Sequence, residues 1–261
     1  MTTDPRFTWL FWTVWRRNLR VYRRIWTVNF LPPMLEPVFY LLAFGLGFSG
    51  LVREVHWNGQ TLSYTEFFAP SMLAATVMWQ AFLETSYASF VRMFYQKTYD
   101  ALLATPLTVE EIIIAEIVWG ATRAVIAAVL MLVVIALLGY VPSLHALAIL
   151  PIAFLGGLAF GAMGMATTSV TSSIDMFNLP IFLVITPMFL FSGTFFPLTG
   201  LPAWAVGLAQ GLPLYHLAEL TRSACLGLLG PSSLWHMLAL AACAAIFIPL
   251  SLAGMRRRLV K

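Results

Sequence analysis

The chain has 261 residues, of which 60% are hydrophobic and 10% charged, and its net charge is +4. Soluble globular chains carry about 25% charged residues, so this chain cannot cover a water-facing surface and lipid is the alternative solvent. The arginines gather toward the two ends rather than on one domain face, which argues against nucleic acid as a partner and for anionic membrane lipids.

The first element is an amphipathic helix over residues 7–27. Thr13, Arg16, Arg17, Arg20, Arg23, Arg24 and Thr27 recur at three- and four-residue spacing, while Trp9, Phe11, Trp12, Val14, Trp15, Tyr22 and Trp26 fill much of the remainder. Such a helix lies in the membrane interface, with Trp at head-group depth and Arg reaching phosphate. A short apolar core followed by small residues, the mark of a cleavable signal, is not found near the start, so the first span is expected to serve as its own insertion signal. A spanning helix needs roughly 20 apolar residues. Six stretches qualify: 31–51, 66–90, 112–139, 146–169, 177–198 and 234–254, the fifth interrupted by Pro180, Pro187 and Pro197. The fold class predicted is therefore an all-α integral membrane protein with six transmembrane helices, forming a single transmembrane domain over 1–261.

Lys and Arg orient the spans. With the N-terminus inside, Arg6, Arg16, Arg17, Arg20, Arg23, Arg24, Arg92, Lys97, Arg256, Arg257, Arg258 and Lys261 are cytoplasmic, Arg53 and Arg222 face out, and Arg123 lies within a span. This predicts a multi-pass protein of a bacterial cytoplasmic (inner) membrane, with both termini in the cytoplasm.

The largest cytoplasmic loop, 91–111, has a defined shape. Residues 96–104 suit a short helix that stops before Pro106, and Thr108 and Glu111 have capping-box spacing for a restart. Segment 193–233 carries Gly193, Pro197, Gly200, Pro202, Gly211, Pro213 and Gly230 yet stays apolar, which suits short helices in or dipping into the outer interface.

Catalytic patterns are missing. There is no G-x-x-x-x-G-K-[ST] phosphate loop, and neither Lys97 nor Lys261 follows a glycine. If ATP drives this protein, another chain binds it. His56, His145, His216 and His236 are scattered, with no metal-ligand spacing, and no nucleophile elbow is present. Cys225 and Cys243 are too few for a disulfide framework. Charges in or beside the spans are Glu36, Glu84, Glu116 and Arg123; they suit either structural pairing or a proton relay. Glu116 and Arg123, seven residues apart on one helix face, need neighbours or intervening water. Gly157-x-x-x-Gly161, extended by Gly164, permits close helix packing, within the subunit or between two. The aromatic residues of span five can line a path or pack.

Asp100-Ala-Leu-Leu-Ala-Thr-Pro-Leu-Thr, leading into Glu111, resembles the first cytoplasmic loop of type-two ABC exporter permeases. Phe191-Ser-Gly-Thr-Phe-Phe-Pro-Leu-Thr-Gly-Leu-Pro-Ala-Trp and Gly211-Leu-Pro-Leu-Tyr-His-Leu-Ala-Glu-Leu-Thr-Arg resemble that family's region after the fifth span. Val14-Trp-Arg-Arg-Asn, Glu84-Thr-Ser-Tyr-Ala-Ser-Phe-Val-Arg-Met and Pro213-Leu-Tyr-His are similar to its NodJ-type branch, the permeases of lipo-chitooligosaccharide (nodulation factor) export.

The resemblance implies a homodimer of permeases with two copies of an ATP-binding cassette subunit docked below. ATP and Mg would sit on that partner and no cofactor on this chain. It implies a coupling helix in which Gln96, Lys97, Thr98, Tyr99 and Asp100 meet the ATPase while Leu102, Leu103 and Pro106 set its shape. Many relatives carry a Thr-Leu-Glu acid there, where this chain has Asp100 after Tyr99. It further implies outer re-entrant helices over 195–222 and a path flanked by spans one and five, with Phe39, Tyr40, Phe44, Phe182, Phe189 and Phe196 as candidate path residues. The function implied is outward movement of an amphiphilic glycolipid, oligosaccharide or polysaccharide. Efflux of hydrophobic drugs or peptides on the same scaffold, and a membrane enzyme acting on a lipid-linked substrate, are the alternatives.

Overall fold

The computed structural model describes residues 9–49, 52, 54–140, 144–199 and 201–260. Arg6, Arg53 and Lys261 lie outside these, as does the side chain of Glu36. The architecture is almost wholly helical. Helix α1 (Phe11–Arg24) precedes α2 (Trp26–Ser49), and a small antiparallel hairpin of β1 (Val55–Trp57) and β2 (Gln60–Leu62) leads into α3 (Tyr64–Leu83). Helix α3 runs on through two π-helical turns, Glu84–Ala88 and Val91–Tyr95. Then come α4 (Thr98–Leu103), α5 (Val109–Leu137) and α6 (Ile149–Val170). Helix α7 (Ile174–Phe191) mixes 3-10, α and π turns, as the prolines within it require. Helices α8 (Ala203–Gln210), α9 (Pro213–Leu226) and α10 (Pro231–Leu259) complete the chain.

Among the described residues four helical stretches are long and apolar enough to cross a membrane: Val109–Leu137, His145–Val170, Ile174–Phe191 and Pro231–Leu259. They coincide with the third to sixth expected spans, although the fifth ends at Phe191, before Pro197. The first two expected spans fall on α2, of 24 residues, and on α3, of 20. Local signals set the boundaries. Ser63 and Glu66 form a capping box at the start of α3, and Thr108 and Glu111 form another at the start of α5.

Helices α3, α5 and α6 make the core, and small residues let them approach. A Cβ on Gly157 would stand 2.7 Å from the Ala121 backbone, and one on Gly164 would stand 2.6 Å from the Phe82 carbonyl oxygen and still closer to the Thr85 hydroxyl. Gly161 has more room, its nearest neighbour being the Ile117 carbonyl oxygen at 3.4 Å. The glycine face of α6 is thus used for packing within the subunit. The Thr168 hydroxyl donates to the Thr85 carbonyl at 2.9 Å and ties α6 to the first π turn.

At the hairpin end of the bundle, α9 is clamped to α3. Pro70 interrupts the ladder of α3. The Pro70 carbonyl accepts from the Thr221 hydroxyl at 2.8 Å, and the Phe67 carbonyl accepts from Arg222 Nε at 3.2 Å. Arg222, expected on the outer side as a topological charge, is 1% exposed, pairing with Glu219, donating to Ser71 and to the Gly193 carbonyl, and lying over the Phe67 ring.

The glycine contacts yield a paired prediction. Gly164→Ala overpacks against backbone, and should lower stability by about 1–3 kcal/mol. Gly161→Ala should be tolerated. Thermal unfolding of the two variants in the same detergent checks the order, and equal midpoints would contradict this packing.

Candidate functional site

At the opposite end of the bundle α1, the π turns after α3, and α5 converge on a buried cluster of charge. Arg92 Nη1 donates to Glu84 Oε1 at 2.8 Å, and Arg92 Nη2 donates to Glu116 Oε2 at 2.5 Å. Glu84 also accepts from Trp119 Nε1 at 2.9 Å and faces Arg123 Nη1 at 3.6 Å. Glu116 also accepts from the Ser89 hydroxyl at 2.9 Å and from Asn18 Nδ2 at 3.0 Å. The Arg123 guanidinium lies 4.7 Å from the centre of the Tyr22 ring. Two carboxylates and two guanidiniums cancel, as buried charge requires. The hydroxyls of Thr85 and Ser86 donate back to the carbonyls of Ala81 and Phe82, one turn earlier, at 3.0 and 2.6 Å. Glu116 therefore pairs with Arg92 and not with Arg123 on its own helix. The acids and arginines bind one another across helices, with the geometry of structural pairing.

Helix α1 docks here through an i, i+4 stripe. Val14 and Asn18 are buried, Trp15 Nε1 donates to the Thr122 hydroxyl at 3.0 Å, and Tyr22 packs edge-on to Trp119. Arg16, Arg20, Arg23 and Arg24 stay exposed. This is the amphipathic division that the sequence pattern calls for, over 11–24 rather than 7–27.

The loop that follows is a folded knuckle. Lys97 holds a left-handed backbone, φ 51°, a strained state for a residue with a Cβ. It turns the chain sharply into α4. Thr105 closes the far side by donating its hydroxyl to the Leu102 carbonyl at 2.6 Å, and Pro106 follows. Gln96, Lys97, Asp100 and Pro106 are exposed, and Thr98 is half-buried. Tyr99 departs from the sequence reading, which puts it on the contact surface beside Asp100. Its ring is 0% exposed and packs with Phe90, Met93, Val109 and Ile112. The short helix has only two sides, and the apolar ring takes the inward one. Burial, followed by the neighbouring Glu116 carboxylate, pushes the Tyr99 phenol well above its ordinary range. The hydroxyl makes no hydrogen bond of good geometry. Leu102 and Leu103 pack on the same cluster.

The candidate path residues divide into two sets. Tyr40, Phe44, Phe189 and Phe196 join Phe48, Phe68 and Phe195 in a continuous aromatic ladder between α2, α3 and the end of α7. Phe39 and Phe182 stand outside it, 62% and 67% exposed. Together with Leu183 and Phe191 they leave an open apolar flank on α2 and α7.

The pattern that defines the ABC-2 type transporter family matches residues 10–226, from α1 to the end of α9. The chain belongs to that family. It is 38% identical to nodulation protein J of Rhizobium leguminosarum bv. viciae, over 97% of this chain and 95% of the relative. It is 40% identical to the bv. trifolii protein of the same name, over 95% and 93% of the two chains. The inner membrane transport permease YadH of Escherichia coli is 24% identical, over 84% of this chain and 85% of that one.

Several residues of this ABC-2 transporter chain escape sequence reasoning. Arg92 reads as a topological loop charge, yet it bridges both buried acids. Asn18 closes the Val14-Trp-Arg-Arg-Asn motif but, like Trp119 and Tyr22, is assigned no role by the sequence, and only the docking of α1 on α5 brings them in. Phe94 and Tyr95, 48% and 60% exposed beside Lys97, give the knuckle an aromatic face. The expected scatter of histidines also gives way, since His216 and His236 face each other at 2.8 Å between their Nδ1 atoms and join α9 to α10.

Because the Tyr99 hydroxyl is buried without a good partner, removing it leaves nothing unpaired. Tyr99→Phe should keep the wild-type unfolding midpoint or raise it, whereas Tyr99→Ala should cost about 3–5 kcal/mol through the cavity it leaves. A Tyr99→Phe midpoint far below wild type would show that the hydroxyl is bonded.

Proposed function

We propose that this permease is the membrane-spanning half of an ATP-driven exporter, and that α4 and the residues around it couple the spans to a separate ATP-binding subunit. The observation that carries the reading is the knuckle at 96–106. Its outer face is polar and aromatic, its backbone is strained at Lys97, and its inner face is anchored through Tyr99 beside the Arg92–Glu116 pair. A connector has no need of such an anchor, whereas a lever does. ABC-2 transporters normally pair with an ATP-binding subunit, and this sequence has no phosphate loop of its own. Gln96, Lys97, Thr98 and Asp100 form the contact, with Phe94 and Tyr95 at its rim. Tyr99, Leu102, Leu103 and Pro106 hold its shape.

The assembly is two permeases over two ATPase subunits, with ATP and Mg held by the latter. The path runs beside α2 and α7, whose exposed flank around Phe39 and Phe182 faces the second permease. The cargo is an amphiphilic glycolipid, oligosaccharide or polysaccharide, moved outward across the bacterial cytoplasmic membrane. Support for this class comes from the likeness to the nodulation J proteins and from the aromatic side chains on the described faces of α2 and α7. Six spans with both termini in the cytoplasm put the knuckle on the ATPase side, and α8 and α9 then form the outer, re-entrant part.

Two experiments test this. A Gln96→Ala, Asp100→Ala double variant should insert at wild-type levels, yet lose at least half of its ATPase co-purification and export. Wild-type export and co-purification together would reduce the knuckle to a connector. In intact cells, a cysteine at position 98 should resist a membrane-impermeant thiol reagent and one at 56 should react. Labelling at 98 would overturn the orientation.

A further inference from the structure

Away from the knuckle and the aromatic ladder, a cavity of about 550 Å³ lies between α3, α6, α7 and α10. Its walls are carbon, supplied among others by Met163, Val184, Phe247 and Leu250. Neither Phe182 nor Phe189 lines it. Where α6 and α10 both end, it continues into an open hollow of about 430 Å³ that shares Ser169, Val170, Gly254 and Arg257 with it and adds Thr171, Ser172 and Arg258. The space is therefore apolar along its length and polar and cationic at one end only.

The three terminal arginines are used differently. Arg256 pairs with Glu110 at 3.8 Å. Arg258 donates to the Thr168 and Thr171 carbonyls and caps the end of α6. Arg257 lines both hollows, is exposed, and has no ion-pair or hydrogen-bond partner among the described residues. A cation at the mouth of an apolar slot fits a ligand with one anionic end and one hydrocarbon end. The depth agrees. Phe247 and Arg257 are ten residues apart on α10, about 15 Å along the helix, which is about half of a 30 Å hydrocarbon layer and so the depth of one leaflet. Away from Thr167, Ser169 and Arg257 at the cationic end, sugar or peptide would find no side-chain hydrogen-bonding partner on such walls.

We propose that this slot holds an acyl chain of an anionic membrane phospholipid, with its phosphate at Arg257. Basic pockets between spanning helices are the setting in which lipid head groups are recognised. The bound chain fills the space between α7 and α10, and so it links the path-side helix to the outer face of the bundle. The inference stands independently of the cargo and of the direction of transport.

The test uses the full-length permease in phosphatidylcholine vesicles. Two photoactivatable probes with the same mid-chain diazirine are compared, one a phosphatidylglycerol and the other a phosphatidylcholine, and labelled peptides are mapped by mass spectrometry. The phosphatidylglycerol probe should label the peptides carrying Met163 and Phe247–Leu250 about fivefold more than its neutral counterpart, the preference expected of one basic side chain near the surface. Arg257→Gln should bring the two probes level, while Arg256→Gln should leave the preference intact. Ala253 lines the slot and is exposed. Ala253→Trp should fill the slot and suppress both probes, with Ala253→Leu as the milder version should the larger side chain prevent insertion. Equal labelling by both probes in the wild type would overturn the proposal, as would a preference that survives Arg257→Gln or labelling indifferent to filling at position 253.

Discussion

Two carboxylates and two guanidiniums withdrawn from water set the terms for the rest of this structure. Glu84, Arg92, Glu116 and Arg123 come from the π turns after α3 and from α5, and α1 adds Asn18. Taking such ions out of water costs several kcal/mol each, and removing one partner leaves the others uncompensated, at about 3–5 kcal/mol. The three segments are held to one relative placement, because only there do all four charges meet a partner. The two π turns carry Glu84 and Arg92 themselves. Departures of this kind often mark functional sites in helices. Here the departure sits directly before the knuckle, and Tyr99 rests against the cluster's edge.

The cluster is carried by a tightly packed frame. The glycines of α6 bring it to within backbone contact of α3 and α5, and Gly120 of α5 meets Thr85 in the same way. At the other end Arg222 repeats the principle with a single ion pair, its donors shared among Glu219, Ser71 and two carbonyls. Polar nodes thus stand at both ends of the packed helices α3, α5, α6 and α9, with an apolar centre between them. Exposed apolar side chains stand on α2, α7 and α10, among them Phe39, Phe182 and Trp235.

The sequence by itself determined what depends on neighbours along the chain. Hydropathy over roughly 20 residues located α5, α6, α7 and α10. The three- and four-residue spacing of Arg and Trp gave α1 its two faces, and Thr108 with Glu111 gave the start of α5. The stop before Pro106 and the short helix before it were legible for the same reason, since capping and proline geometry act within a turn. The small hairpin of Val55–Trp57 with Gln60–Leu62 was not found, being too short to show a period.

Only the tertiary structure decided which groups meet. Glu116 and Arg123 share a helix face, yet seven residues is about 10.5 Å of rise, too far for direct contact. Each is satisfied from elsewhere, Glu116 by Arg92 and Arg123 by Glu84. Tyr99 turned inward, Arg222 became a buried clamp, and His216 met His236, none of which a spacing encodes. The physical reason is common to all of them. A charge or ring buried in lipid-embedded protein must find its partner at the nearest helix crossing, and where helices cross is a property of packed surfaces rather than of chain order.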